Sequence, residues 1–331
     1  MKRNIKISYK INNSNDSELA TNYKLNYKHI VITGASSGLG KSLAVAYTAD
    51  FIKNLAKNSE NGNAKFLLSL TGRNLDRLKE TATICTKIWQ DLTENNSKYS
   101  SQTIIYSPEN SHNSQHLQDE ITNETRLEIE IATIDVNQSQ NLAEFLHYID
   151  SKCPVDLIIA NAGISGGTSA NTESERQINQ IFHTNINGAL NTIQPLIPKM
   201  IARKSGQIAI ISSLAGFRGL ASSPAYSASK AAIRVYGEAL RDNLAKFSVK
   251  VNVVCPGYVK TPMTATNSFY MPFIISAEKA SQVIIDNLKK NKARISFPYP
   301  LYFTVWLMAI LPPSLTGIFL SKLPSKKALD L

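Results

Sequence analysis

The chain has 331 residues, 43% hydrophobic and 18% charged, the proportions of a globular protein with a large core. Cys85, Cys153 and Cys255 show no paired spacing, which argues against a disulfide framework or a metal site and for a reducing, cytoplasmic setting. The net charge of +11 sits mostly at the ends, with six Lys/Arg against two acids in residues 1–30 and seven against two in 285–331; no zinc-finger, helix-turn-helix or RNP-like pattern accompanies it, so nucleic acid is not the expected partner.

Residues 1–27 are polar and irregular and read as a loose arm. Lys2, Arg3, Lys6 and Lys10 alternate with Asn and Ser after Met1, which does not fit a secretory signal. His29–Thr33 reads as a short buried strand, followed by a glycine-rich turn and a helix from Lys41 to about Leu55. Lys65–Thr71 is a second apolar strand, and Asn74 caps a helix reaching about Asp91. Of residues 81–128, 22 of 48 are Ser, Thr, Asn or Gln, and about 93–126 read as a polar surface insertion. Strands follow at Leu127–Ile134, Asp156–Ala160, Gln207–Ile211 and Lys250–Val254. Helices fall at Gln138–Ser151, Glu173–Met200 (one or two), Pro224–Phe247 and Ala277–Asn291.

Strands alternating with helices predict an α/β fold, a doubly wound, Rossmann-like parallel sheet with helices on both faces. The continuous alternation argues for one catalytic domain, residues 28–295, followed by an apolar, basic C-terminal helical extension, 296–331.

Thr33-Gly34-Ala35-Ser36-Ser37-Gly38-Leu39-Gly40 joins the first strand to the first helix. Gly34 permits a tight turn, and Gly38 and Gly40 let a ligand approach the backbone. The helix N-terminus behind them offers free N–H groups to a pyrophosphate. Gly34–Gly38 also matches the G-x-S-x-G nucleophile elbow of hydrolases. That reading needs a late catalytic histidine, and none of the five histidines follows the last two strands.

Tyr226 and Lys230 are i and i+4 at the start of a helix opened by Ser222, Ser223 and Pro224, so they share a face. A tyrosine titrates near about 10, and an adjacent ammonium favours the phenolate. The phenol can then exchange a proton with a substrate oxygen. Alone, Y-x-x-x-K carries little weight. Ser212-Ser213, Asn161-Ala162-Gly163 and Cys255-Pro256-Gly257 all end strands, at the sheet edge where open α/β proteins bind ligands.

These stretches together resemble the short-chain dehydrogenase/reductase family over about residues 28–265. The resemblance rests on TGASSGLG at 33–40, NAG at 161–163, Asn185, ISS at 211–213, YSASK at 226–230 and PGYVKT at 256–261. It implies Tyr226 as acid/base, and Lys230 as its pKa-lowering partner and ribose ligand. Ser213 would polarise the substrate oxygen, and Asn185 would hold a water of the proton relay. Ser212 and Asn187 are the competing assignments; the 13-residue spacing to Tyr226 favours Ser213. The nicotinamide cofactor would lie against Thr33, Gly34, Ser36, Ser37, Gly38, Leu39, Gly40, Asp135, Val136, Asn161, Ala162, Gly163, Pro256, Gly257, Val259 and Thr261. A homo-oligomer is expected.

The second strand ends Thr71-Gly72-Arg73, with an arginine and no acid at the tip. An arginine there suits the 2′-phosphate of NADP(H) and disfavours NAD(H). The tail holds an apolar run of 11 residues, Leu301–Leu311, interrupted by Thr304 alone and too short for a bilayer span of ~20. Peripheral membrane contact through 297–327, a lid over an apolar substrate cleft, a subunit contact and a helix packed on the domain remain open. The expected activity is hydride transfer between nicotinamide and a lipophilic ketone or secondary alcohol. The alternatives are an idle nucleotide-binding scaffold at a membrane surface and a sugar-nucleotide epimerase or dehydratase. The intact Ser213/Tyr226/Lys230 set disfavours the first, and the short region after Pro256 disfavours the second.

Overall fold

The computed structural model of the chain describes residues 28–57, 64–93, 98–107, 125–169, 171–321 and 324–329. The expected arm, 1–27, and residues 108–124 of the expected insertion lie outside them. Eight strands form one parallel sheet: β1 His29–Thr33, β2 Lys65–Gly72, β3 Tyr99–Ile105, β4 Thr125–Thr133, β5 Leu157–Ala160, β6 Gln207–Ile211, β7 Lys250–Pro256 and β8 Arg294–Phe297. Their spatial order is β3-β4-β2-β1-β5-β6-β7-β8. The order reverses at β1, where a doubly wound sheet opens a crevice beyond its strand ends.

Alternation along the strands divides the core into two layers. Ile30, Ile32, Leu157, Ile159, Ala209 and Ile211 face one side, packed under α1 (Gly38–Lys57), α2 (Leu75–Leu92) and the helix Ala277–Lys289. Val31, Ile158, Ala160, Ile208 and Ile210 face the other, under the helices Ser139–Lys152, Ile197–Ala202 and Pro224–Ala245. Each such buried aliphatic side chain contributes roughly 1.5–3 kcal/mol. Central strands apolar on both faces are what a sheet covered on both sides requires. Asn74 caps α2 as expected, its side chain accepting from the Arg77 amide at 2.9 Å.

Two strands depart from the sequence reading. Tyr99-Ser-Ser-Gln-Thr-Ile-Ile105 falls in the expected insertion, yet pairs with β4 from Tyr99↔Thr125 to Ile105↔Ile131. Its polarity reflects its place at the sheet edge, where one side of the strand has no neighbour and much of the surface meets water. Gln102 donates to Glu128 at 2.9 Å, and the Tyr99 ring meets Trp89 edge-on, centroids 6.3 Å apart. At the opposite edge, β8 pairs with β7 from Val253↔Arg294 to Pro256↔Phe297. The boundary expected at residue 295 therefore falls inside a strand.

The segment expected as one or two helices is one helical run. Glu175–Phe182 passes through a π turn, His183–Asn187, into Gly188–Ile193, a 3-10 turn at Gln194–Leu196, and Ile197–Ala202. Pro195 and Pro198 lack the N–H that a regular helix needs.

His29 is fully buried between β2 and the loop before β5. Its Nδ1 donates to the Cys153 carbonyl at 2.7 Å, so Nε2 accepts from Ser69 Oγ at 2.9 Å. Burial holds its pKa below 6.5. The unfolded chain then takes up a proton below about pH 6.5 that the folded chain refuses, so this stabilisation is present above that pH and lost as pH falls. The slope is at most about 1.4 kcal/mol per pH unit. Urea unfolding at pH 7.5 and 5.5 should show a larger fall for wild type than for His29→Gln; equal falls refute the assignment.

Candidate active site

The loops beyond the C-terminal ends of the central strands surround a cavity of about 550 Å³. The turn after β1 enters it with Gly34 at φ +68° and Gly38 at φ +55°, a region costly for residues with a Cβ. A Cβ on Gly34 would lie 2.9 Å from Ala162 Cα, and one on Gly40 would collide with the Gly34 carbonyl and the Asn161 amide. Asn161 binds the turn, donating from Nδ2 to the carbonyls of Thr33 at 2.9 Å and Gly34 at 3.3 Å. Thr33 Oγ1 accepts from the Asn161 and Ala162 amides at 3.2 and 3.3 Å. Helix α1 begins at Gly38, three residues earlier than periodicity predicts, so its unpaired first-turn amides belong to this turn.

Tyr226, Lys230 and Ser213 meet at the same cavity. Tyr226 and Lys230 lie on the helix Pro224–Ala245, with Lys230 Nζ 5.9 Å from the Tyr226 ring centroid. Lys230 is buried and donates to the Ile211 carbonyl at 2.9 Å. Ser213 hydrogen-bonds the Tyr226 phenol, and its Oγ accepts from the Ala215 amide at 3.1 Å. Ser212 points away, donating to the Lys230 carbonyl at 2.7 Å.

Their electrostatics differ from the sequence expectation. Burial lowers the Lys230 pKa to about 8. Burial also raises that of Tyr226, and the Ser213 hydrogen bond offsets this only in part. In so dry a site each charged form loses its hydration, and that loss outweighs the pull of an ammonium facing a carbonyl. The expected lowering of Tyr226 by Lys230 is therefore absent from this geometry.

Asn185 lies in the π turn, 1% exposed. Its Oδ1 accepts from the Ile164 amide at 2.8 Å, while Nδ2 donates to the Ile164 carbonyl at 2.9 Å and Ser229 Oγ at 3.0 Å. The side chain thus ties the loop after β5 to the catalytic helix. Asn187 is exposed and meets only His183.

Ser36, Ser37, Leu39, Arg73, Asp135, Val136, Gly163, Pro256, Gly257, Val259 and Thr261 line the cavity with the residues above; Thr33, Gly40 and Asn185 stand behind its wall. Arg73 is exposed, and Asp135 Oδ1 accepts from the Asn137 amide at 2.9 Å. The sequence left one wall open, as a lid over an apolar cleft among four placements of the tail. The helix Tyr299–Ile310 contributes Leu301, Thr304, Val305 and Met308, and the chain beyond it contributes Leu320, Pro324 and Lys326. The i, i+3, i+4, i+7 spacing of 301, 304, 305 and 308 is a legible one-face pattern; nothing marks Lys326.

A profile described as short chain dehydrogenase matches residues 88–269, more than half of the chain. An oxidoreductase from Myxococcus xanthus is 30% identical over 290 residues, covering 87% of this chain and 94% of its own. The chain belongs to the short-chain dehydrogenase family. This dehydrogenase is also 39% identical over 163 residues to a ketoacyl reductase from Nostoc, covering 48% of this chain and 56% of that one. Two solved structures share its fold. A short-chain dehydrogenase from Sphingobium yanoikuyae in complex with NADPH has TM-score 0.60, 17% identity and coverage of 91% and 98%. One from Mycobacterium paratuberculosis bound to NAD has TM-score 0.58, 20% identity and coverage of 82% and 96%.

The protein is thus an oxidoreductase of a family that uses NAD(P)(H). Its glycine turn fits such a dinucleotide: the turn closes this tightly only because residues 34 and 40 lack a Cβ, and a helix N-terminus faces the cavity. Gly40→Ala should weaken NADPH binding at least about tenfold, the cost of one well-placed contact. Gly219→Ala, whose Cβ would meet nothing within 4 Å, should leave binding unchanged. Fluorescence titration of both variants measures this, and unchanged affinity in Gly40→Ala counts against the turn as the dinucleotide seat.

Proposed function

We propose that this dehydrogenase is an NADP(H)-dependent enzyme that interconverts a lipophilic ketone and its secondary alcohol. The observation that carries the reading is the meeting of Ser213, Tyr226 and Lys230 on one cavity whose facing wall is the apolar helix Tyr299–Ile310. When bound, the nicotinamide supplies or removes the hydride. The Tyr226 phenol gives its proton to the carbonyl oxygen during reduction and takes it back during oxidation. The Ser213 hydroxyl donates to the same oxygen and stabilises its developing negative charge. Lys230 lies beside Tyr226, where it would stabilise the phenolate by charge and would hold the ribose of the cofactor. Asn185 acts by positioning the loop after β5 against the helix of Tyr226 and Lys230; its side chain is taken up by Ile164 and Ser229, so the water-holding role that the resemblance implies does not fall to that side chain. The dinucleotide is held by the residues of the glycine turn and by Asp135, Val136, Asn161, Ala162, Gly163, Pro256, Gly257, Val259 and Thr261.

Turnover on a panel of ketones with NADPH tests the mechanism. Tyr226→Phe should lose roughly 10²–10⁴-fold in kcat, the usual worth of a positioned acid, with nucleotide affinity retained. Undiminished turnover in the variant would overturn this mechanism, and no turnover in wild type would leave the chain a nucleotide-binding scaffold.

The NADP(H) preference rests on Arg73 at the tip of β2, with no carboxylate between Thr71 and Asn74. Arg73→Glu should reverse the preference, raising KM for NADPH by tenfold or more while KM for NADH changes little. A wild-type enzyme that prefers NADH would overturn it.

The lipophilic substrate rests on the same C-terminal helix. None of its residues is buried. Tyr299, Phe303, Trp306, Leu307 and Ile310 are exposed, as are Leu315 and Ile318 of the helix Pro313–Leu320. No helix among the described residues is long and apolar enough to cross a membrane. A helix that walls the cavity on one side and shows aromatic and aliphatic groups on the other suits contact with a lipid surface that delivers the substrate.

A further inference from the structure

The chain beyond the helix Pro313–Leu320 returns across the cavity mouth, and its seat is built. The Ser169 amide donates to the Lys326 carbonyl at 2.9 Å, and the Ala328 amide to Ser169 Oγ at 2.7 Å. The Leu329 amide donates to Gln177 Oε1 at 2.8 Å, and buried Gln177 is itself held by the Gly167 carbonyl at 3.1 Å. A Cβ on Gly167 would collide with Lys326, and one on Gly166 would lie 2.9 Å from Leu329 Cγ.

This strap carries Lys326 into the cavity. Its Nζ donates to Ser165 Oγ and stands 5.3 Å from the Tyr226 ring centroid. No carboxylate among the described residues pairs with it. The one acid in the cavity wall is Asp135, after β4, on the far side of β1 from Tyr226. The cavity that Lys326 enters is also lined by apolar Leu220, Leu301, Val305, Met308 and Leu320. A largely buried ammonium without a counter-ion is costly, and a charge so placed is offset when an anion arrives with the ligand. Lys230 is held by the Ile211 carbonyl beside Tyr226, and the partner of Lys326 is an uncharged hydroxyl, so Lys326 is the cation at this end of the cavity left to meet an anionic group of a ligand.

We propose that Lys326 is a specificity-determining residue that binds a carboxylate of the substrate, making the preferred substrate a long-chain hydroxy or keto acid. Its hydrocarbon chain lies along the helix Tyr299–Ile310, and its carboxylate stands a few bonds from the carbon beside Tyr226. This rests on the lipophilic-substrate reading above.

The test uses the full chain saturated with NADP⁺. Calorimetric binding is compared for dodecanoate, methyl dodecanoate, dodecyl phosphate and butanoate, together with oxidation of 3-hydroxydodecanoate and its methyl ester. Wild type should bind dodecanoate at least about tenfold more tightly than the ester, the worth of one charge-assisted hydrogen bond, and show a similar ratio in kcat/KM. Lys326→Met should bring both ratios to within about twofold, and Lys326→Arg should keep most of the difference. Equal affinities in wild type, an undiminished ratio in Lys326→Met, or a preference confined to dodecyl phosphate would overturn the proposal. The lipophilic reading fails separately, if butanoate and dodecanoate bind equally.

Discussion

The site depends on the contact between the turn after β1 and the loop after β5. Their strands are neighbours in the sheet, and the two backbones approach so closely that residues 34 and 40 have no room for a Cβ. Asn161 fixes the approach with hydrogen bonds to two carbonyls of the turn. The glycines therefore permit the close approach and Asn161 holds it. The same loop, through Ile164, is tied to Asn185, and through Asn185 to Ser229 on the catalytic helix. One chain of short contacts runs from the glycine turn to the helix that carries Tyr226 and Lys230.

Dryness sets the chemistry of that second region. Lys230 and Tyr226 are each pushed toward their neutral forms, and the ammonium still finds a carbonyl to hold it. Burial thus brings the Lys230 pKa toward working pH and moves that of the Tyr226 phenol away from it. Lys326 repeats the pattern: burial also lowers its pKa to about 8. Two cations placed near one phenol make that end of the cavity electropositive, while the wall opposite remains hydrocarbon. An amphipathic ligand satisfies both.

The C-terminal extension completes the cavity. β8 adds to the sheet, the helix Tyr299–Ile310 walls the pocket, and the strap that follows closes over Tyr226. Its outward face keeps its apolar groups in solvent. The element that would bind the hydrocarbon portion of a substrate is thus also the element that meets the surroundings.

The sequence by itself determined the doubly wound core, because strands buried on both faces must be apolar throughout and helices between them must show a 3.6-residue period. It determined the glycine turn and the Tyr226–Lys230 pair for the same reason: each is local, fixed by backbone sterics or by one turn of helix. It read the edge strand Tyr99–Ile105 as a loop, because an edge strand can remain polar and its pairing partner lies beyond a long polar stretch. The π turn that aims Asn185 inward left no mark either, since it depends on hydrogen bonds to Ile164 and Ser229. Only the tertiary structure decided where the tail lies. Lys326 is one lysine among several in a basic segment, and what distinguishes it is a seat on Ser169 and Gln177 that no local pattern encodes.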